Sequence, residues 1–560
     1  MHKDFFNFKN RKSFPYYLYP MIRCRSIFNK IVFFMASMYV IAVNAASGQK
    51  NGLVHALSTQ DSAFMQGKIK WKEAKAAAST QKMNIVLIVA DDLGKHDISV
   101  YGNPLIETPN IDAIAKNGAI FGEGYATAAI CSPSRAGLLT GRYQQRFGYH
   151  LQPHQRYPAN KLQWWWFKNL INTGDFEPAE YDKFPDKASI KAAGLPQSEI
   201  SLAEFLKKFG YVTAWIGKWH LGYHAPLLPA DFGFDYRYGC LEAYTLFAKV
   251  NDPEVVNARV NEFTDKVIWK GGRKGHCAIR ENDILIDEQE YLTYAFARRA
   301  TKFIRDHKNE PFFLYLPVTA PHTPYQAPKK IYDRLTHITN HRQRVYFAMI
   351  IALDEAVGQI MEELKSNQLL ENTLIIFTSD NGAALYSKTV TNEPLAGGKM
   401  SLFEGGINVP LLMMMKGKIP AGVHIHQPVS LCDIFATIAD GIKAQLPGDR
   451  IYDGVSLWPL LTQSTQENPH EALYWISDYN LAMRWNNLKI IIDTKHKTLD
   501  VFDLKSDKYE KKDISQSNPE WTKKLENMLM RFAAQMPPQK WPRIMEYSIR
   551  VNGKSYVWAI

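Results

Sequence analysis

Several short stretches of this chain place reactive or ionisable side chains where a folded backbone is expected to turn. Cys131-Ser132-Pro133-Ser134-Arg135 runs on to Leu138-Leu139-Thr140-Gly141. Proline suits the first turn of a helix and glycine its end, so the spacing predicts a helix over this stretch, stopping at Gly141. Cys131 then lies among the unpaired N–H groups of the helix start, which attract an anion, and Arg135 shares its helix face. The plain alternative is an inert buried thiol. Asp91-Asp92 and Asp380-Asn381 offer only oxygen donors, which select a hard cation, Ca2+ or Mg2+, over zinc. Taken alone, Asp380-Asn381-Gly382 also reads as a simple turn. Lys218, His220, His322 and Lys399, with Arg135, supply a cationic lining. Each has a bland alternative as a solvated lysine or a hydrogen-bonded core histidine. The prolines of Ala320-Pro321-His322-Thr323-Pro324 fix the backbone around His322, and the glycines before Lys399 permit close approach to a ligand.

These residues need elements that aim them at one place. Asn84-Ile85-Val86-Leu87-Ile88-Val89-Ala90 is a continuous apolar, β-branched run, as in strands buried on both faces, and it ends in Asp91-Asp92. Adjacent carboxylates there are costly unless a cation binds them. A helix is expected over Asn110–Asn117. Ser201-Leu202-Ala203-Glu204 is a capping box opening a helix that stops at Gly210. The strand Tyr211–Ile216 leads to Lys218 and His220, and Phe312–Leu316 leads to His322. A helix over Val345–Lys365 feeds the strand Thr373–Phe377, which leads to Asp380. Alternating helices and buried strands imply an α/β fold with a large, mostly parallel sheet flanked by helices. Ligands of such sheets bind outside the carboxyl ends of the strands, and four strands release polar residues there. After about Glu471 the strands Leu473–Ile476, Leu481–Trp485, Leu488–Ile492 and Leu499–Leu504 have short connections. They predict a smaller C-terminal antiparallel-sheet subdomain, with a helix over Trp521–Met536.

Cys-x-Pro-x-Arg followed by Leu-Thr-Gly-Arg resembles the signature of the formylglycine-dependent sulfatases. Asn-Ile-Val-Leu-Ile-Val-Ala-Asp-Asp-Leu-Gly, Gly-Lys-Trp-His-Leu-Gly, Ala-Pro-His-Thr-Pro, Thr-Ser-Asp-Asn-Gly and Glu-Gly-Gly-Ile-Asn-Val-Pro resemble family blocks, in family order, over roughly residues 82–515. The resemblance implies an alkaline-phosphatase-like fold and a sulfuric ester hydrolase acting on a sulfated carbohydrate. It implies that Cys131 is oxidised by a formylglycine-generating or sulfatase-maturating enzyme to the aldehyde 3-oxoalanine (formylglycine). Ca2+, in preference to Mg2+, would be held by Asp91, Asp92, Asp380, Asn381 and residue 131. Arg135 and Lys218 would steady the aldehyde hydrate, His220 would act on it, and Lys218, His322 and Lys399 would bind the sulfate. One hydroxyl of the hydrate attacks sulfur, His322 or Lys399 protonates the departing alcohol, and His220 deprotonates the second hydroxyl so that collapse expels sulfate. A serine lacks that second hydroxyl. The alternatives are a phosphate or phosphonate monoesterase on the same fold, or an unactivated protein that binds sulfated glycans. The chain departs from the family where Ala396 and Asn408 stand in place of frequent arginines, and at Lys95-His96. Substrate selection is expected in the poorly matching stretches 150–195 and 240–295. Trp164-Trp165-Trp166 offers either a sugar-stacking surface or packing beneath a loop.

The composition, 46% hydrophobic and 22% charged, is that of a globular protein, and half of the formal charge of +12 falls within residues 1–45. The surplus left suits anionic substrates and argues against a nucleic-acid partner. Residues 1–45, with Met21 as a possible true start, read as a signal peptide: Arg23, Arg25 and Lys30 precede an apolar run to Val43, too short to span a bilayer. The chain is therefore expected to be exported, periplasmic or secreted, with no stable membrane span. Residues 46–81 read as a linker or surface helix, 82–465 as the catalytic domain and 466–560 as the C-terminal subdomain. Of the five cysteines, Cys24 leaves with the signal. Cys240, Cys277 and Cys432 could supply one disulfide, with the pair left open.

Overall fold

The computed structural model describes residues 59–74, 82–171, 173–181, 184–260 and 263–560. The expected signal peptide, Cys24 and the first part of the expected linker lie outside these residues. Ten strands form the main sheet. They are β1 (Asn84–Ala90), β2 (Ala119–Phe121), β3 (Val212–Lys218), β4 (Tyr236–Cys240), β5 (Arg280–Glu281), β6 (Ile284–Leu285), β7 (Phe312–Pro317), β8 (Thr373–Ser379), β9 (Leu411–Met414) and β10 (Val423–Ile425). Their order is β10-β2-β9-β8-β1-β7-β3-β4-β5-β6. The five central strands β8, β1, β7, β3 and β4 are mutually parallel. The expected α/β architecture with a mostly parallel sheet flanked by helices is observed.

The continuous apolar character of β1 follows from its position. Val86, Ile88 and Ala90 belong to a core on one face, which holds apolar residues of α2 (Pro109–Lys116), α6 (Leu292–Asp306) and α7 (His341–Ser366). Ile85, Leu87 and Val89 belong to the core on the other face, with α3 (Cys131–Thr140), α5 (Leu202–Lys208) and α8 (Asp433–Gly441). A strand covered on both sides gains burial from every side chain, so alternation is lost. Local signals set the helix ends. Ser201 Oγ accepts from Glu204 N–H while Glu204 accepts from Ser201 N–H, closing the capping box. Helix α7 starts four residues before the sequence expectation because Asn340 caps it, accepting from Gln343 N–H.

Upstream of the sheet, α1 (Thr59–Glu73) buries Lys68, whose ammonium donates to Glu204 and to the carbonyls of Gln197 and Glu199. The C-terminal strands β11 (Ala472–Ser477), β12 (Asn480–Trp485), β13 (Leu488–Asp493) and β14 (Thr498–Asp503) form an antiparallel meander. One face packs on Leu525 and Leu529 of α9 (Pro519–Ala533). The other face, through Trp475, Ala482, Ile491 and Phe502, packs on Ile130, Phe403 and Ile407. The meander thus braces the segments next to Cys131 and Lys399. A final hairpin, Met545–Val551 with Lys554–Ala559, pairs with Phe176–Pro178 from the N-terminal half. All four described cysteines are free, so no disulfide forms among Cys240, Cys277 and Cys432. No helix among the described residues is long and apolar enough to cross a membrane.

Candidate active site

The parallel strands end at one edge, and the register aligns their last residues. Ala90 of β1 pairs with Ser379 of β8, Val89 with Pro317 of β7, and Lys218 of β3 with Cys240 of β4. The chain therefore releases Asp380-Asn381, Asp91-Asp92, the His322 loop and Lys218 side by side. Gly217 permits the close packing that aims Lys218. Its φ is +138°, and a Cβ there would lie 2.0 Å from the Pro317 carbonyl oxygen.

Helix α3 approaches the same edge, with every residue from Cys131 to Thr140 buried and Gly141 in the left-handed region at its end. No side chain caps its first N–H groups. Cys131 Sγ lies 3.5 Å from Asp91 Oδ1 and 3.6 Å from Asp92 Oδ1. Arg135, fully buried, donates through Nε to Asp380 Oδ2 at 2.8 Å, and its Nη2 lies 3.5 Å from Asp91 Oδ1. Lys218 Nζ reaches both Asp91 oxygens at 2.8 and 2.7 Å. Lys399 Nζ donates to Asp92 Oδ2 at 2.8 Å and to His322 Nε2 at 3.2 Å. Asn381 Nδ2 donates to Asp92 Oδ1 at 2.8 Å, and the Asp92 N–H donates to Asp380 Oδ1 at 3.2 Å. All ten residues singled out in the sequence therefore lie within one buried cluster or against it, His220 included through its place just after Lys218.

Burial and charge decide the protonation of this cluster. Burial pushes the Asp91 carboxyl up to about 7 against the pull of Lys218. Asp92 suffers the same burial, yet Lys399, then His322 and Lys218, hold it below the usual carboxylate range. Burial raises the Cys131 thiol well above its ordinary value, so as a cysteine it stays protonated. Burial, then Lys218 and Arg135, lowers His220 well below its ordinary value, while burial lowers His322 to about 3. Both imidazoles are neutral. His322 Nδ1 faces the Thr323 carbonyl at 2.6 Å, so that nitrogen carries the proton and Nε2 accepts from Lys399. His220 Nδ1 is buried with no hydrogen-bond partner.

Three carboxylates, Asp91, Asp92 and Asp380, face three cations, Arg135, Lys218 and Lys399. With all three carboxylates ionised the cluster is neutral before any ligand arrives. A dication would leave a double positive charge, which matches a doubly charged anion. The donor chemistry fits a hard metal. The carboxylate oxygens of Asp91 and Asp92, Cys131 Sγ and a His322 ring nitrogen lie within 4.8 Å of one another. The buried Asn381 Oδ1 has no hydrogen-bond partner, the state expected of a carbonyl oxygen that a cation completes.

Three features were not read from the sequence. Two departures from the family pattern meet, since Lys95 Nζ donates to Asn408 Oδ1 at 2.8 Å. Asn408 in turn donates to Glu404, so the Lys95 cation is linked to the buried Glu404 carboxylate through Asn408. Lys489 of β13 lies between the buried Glu404 and Glu510, at 2.8 and 2.7 Å. In the tryptophan run only Trp164 turns inward, its indole N–H donating to the Ala179 carbonyl at 2.7 Å, while Trp165 and Trp166 are exposed.

A family model described as Sulfatase matches residues 83–443. Human N-acetylgalactosamine-6-sulfatase is 34% identical over 401 residues, covering 69% of this chain and 67% of that protein. Human steryl-sulfatase is 31% identical over 479 residues, covering 74% and 76%. Among solved structures, Ps i-CgsB is 30% identical with a TM-score of 0.69, covering 82% of this chain and 95% of that one. The same protein has been solved in complex with k-i-k-neocarrahexaose.

Proposed function

The chain belongs to the sulfatase family, and we propose that it removes sulfate from a sulfated carbohydrate through a formylglycine formed at residue 131. The observation that carries this reading is the placement of Cys131. It sits against a carboxylate pair of metal-binding type, ringed by three cations, at the carboxyl edge of a parallel sheet. A thiol held protonated there is a poor nucleophile, whereas an aldehyde hydrate offers two hydroxyls on one carbon and needs no thiolate. The carbohydrate class rests on relatives that act on N-acetylgalactosamine 6-sulfate by name or were solved with a neocarrahexaose.

Asp91, Asp92, Asp380, Asn381 and residue 131 would hold the metal, Ca2+ in preference to Mg2+, which would supply Lewis-acid stabilisation of negative charge on the sulfuryl oxygens. The chain's own residues do the rest. Arg135 holds Asp380 in place, and Lys218 steadies the hydroxyls of residue 131 and the incoming sulfate. Lys399 is the proton donor to the departing sugar oxygen: its ammonium points at His322 Nε2, and the His322 tautomer fixed by Thr323 presents a lone pair to it. His322 orients that ammonium through its Nε2 lone pair. His220, neutral and with a free Nδ1, takes the proton of the second hydroxyl when sulfate leaves. Export to the periplasm or the medium, after activation by a maturating enzyme, completes the proposal. Protein isolated from its native host should yield a peptide spanning residue 131 that lacks the cysteine sulfur and reacts as an aldehyde. An unmodified cysteine in fully active protein would refute the formylglycine reading.

A further inference from the structure

The stretches expected to select the substrate, 150–195 and 240–295, meet at one spot beside the catalytic cluster. Strand β4 runs next to β3 and ends at Cys240, so Glu242 emerges at the same sheet edge as Lys218. From His220 the contacts run outward without a break. The His220 and Tyr223 rings lie 6.4 Å apart, and the Tyr223 hydroxyl donates to Glu242 Oε1 at 3.2 Å. Gln155 Nε2 donates to Glu242 Oε2 at 2.6 Å. The His276 ring lies 5.5 Å from Tyr223, and the His276 carbonyl accepts from the N–H groups of Leu241 and Glu242. Lys218 and Arg156 are close enough to act on the charge of Glu242.

Three properties mark this group as a recognition site rather than core filling. Glu242 is only half-buried, although both of its oxygens are held in position. His154 Nε2 and His276 Nδ1 are buried and have no hydrogen-bond partner. Buried polar atoms are normally satisfied, so these two await an outside group. Burial keeps both rings neutral, lowering each to about 4, so each offers an imidazole donor and acceptor instead of a charge. A fixed carboxylate together with neutral imidazoles is the chemistry that reads hydroxyl and amide groups. It repels a second anion.

We infer that Glu242, held by Tyr223 and Gln155, with His276 against Tyr223 and His154 preceding Gln155, recognises the sugar ring that bears the scissile sulfate by accepting hydrogen bonds from its hydroxyl or amide groups. The ligand class is a saccharide whose sulfated ring carries neutral donors next to the sulfate, in preference to one with a second sulfate or a carboxylate there. This rests on the sulfatase reading. The contacts support it, since Arg135, Lys218 and Lys399 are paired with the aspartates of the cluster, whereas Glu242 is held by the uncharged Tyr223 and Gln155.

The test compares kcat/KM of wild type, E242Q and E242A on three substrates. These are 4-nitrophenyl sulfate, the monosulfated hexose or hexosamine that wild type turns over fastest in a positional panel, and its disulfated counterpart. Losing one or two hydrogen bonds to a charged acceptor should lower the sugar-to-aryl ratio about tenfold to a hundredfold in E242A and at least about threefold in E242Q. The preference for the monosulfated over the disulfated sugar should shrink in both. Melting temperatures report folding, and E242Q, which keeps the side-chain shape, decides the matter if E242A does not fold. An unchanged sugar-to-aryl ratio in both variants, or equal losses on sugar and aryl esters, would overturn the inference while leaving the sulfatase reading intact. Failure of wild type to release sulfate from any ester would remove that reading itself.

Discussion

Replacing Lys489 with methionine should cost stability and activity together, although Lys489 lies outside the catalytic cluster. Its ammonium bridges Glu404 and Glu510, and all three side chains are buried. Glu404 also accepts from Tyr125 Oη at 2.8 Å and from Asn408, and its own N–H donates to Glu510 Oε2 at 2.7 Å. Removing the cation leaves two buried carboxylates facing each other, and breaking a buried pair in this way costs about 3–5 kcal/mol. With an unfolding entropy of ~2.1 cal/mol/K per residue over ~500 residues, that is a drop of ~3–5 °C if the chain melts as one unit. The pH dependence has a definite sign. Burial raises Glu510 to about 7 in the fold even with Lys489 opposing it. A carboxyl raised above its unfolded value near 4.5 binds more protons in the folded state, so it removes stability as pH rises between the two values. Without Lys489 the folded value rises further, so the gap between wild type and K489M should be wider at pH 8 than at pH 6. Calorimetry or dye-based melting at both pH values provides the assay. K489M/E510Q should recover at least half of the loss, because the like-charge pair is gone. Because Glu404 follows Lys399 by five residues, turnover of an aryl sulfate should fall in K489M as well. A melting temperature within ~1 °C of wild type at pH 8, or an equal gap at both pH values, would refute the reasoning.

Three further outcomes are expected. K399M should lose more on a sugar sulfate than on 4-nitrophenyl sulfate, by at least about tenfold in the ratio, because an alcohol needs the donated proton and nitrophenolate does not; parallel kcat losses would argue against Lys399 as the acid. His470 donates to the buried Asp433, whose oxygens lie 2.9 Å away, and the contact raises its pKa against the effect of burial. A histidine raised in the fold contributes stability that is complete below its unfolded value near 6.5 and lost as pH climbs through the folded value, so the melting gap between wild type and H470Q should close from pH 6 to pH 8.5. Ca2+ at about a hundred times its dissociation constant should stabilise wild type by about 2.7 kcal/mol against thermal unfolding, and N381L should show a much smaller shift at the same concentration; equal shifts would remove Asn381 from the metal's ligands.

Much of the site was legible because its residues sit at ends of elements that announce themselves. The β-branched run before Asp91, the capping box at Ser201 and the strand before Asp380 fix where the backbone turns, and a parallel sheet brings those turns together. The meander from Ala472 was equally readable, since its strands differ from expectation by at most one residue at each end. What stayed hidden depends on long-range pairing. Lys489 meets Glu404 across 85 positions, and no local pattern marks it as the partner of two buried acids. The strand Phe176–Pro178 pairs with Met545–Val551, yet three residues carry no period of their own. The final hairpin did carry a signal, the alternation of apolar and polar residues along Met545–Val551, which burial follows. In the tryptophan run, a helix of ten residues turns Trp164 and Phe167 inward and leaves Trp165 and Trp166 exposed, a split that the run of identical residues does not announce.

The central claim is that residue 131, as an aldehyde, carries sulfate-ester hydrolysis at this metal-type cluster. The most direct measurement is the rate of 4-nitrophenyl sulfate and 4-nitrophenyl phosphate hydrolysis, side by side, by wild type matured in a host with the activating enzyme and by C131A. Sulfate turnover that exceeds phosphate turnover and vanishes in a folded C131A protein is the predicted result. Phosphate preference, or sulfate turnover that survives in C131A, would contradict it.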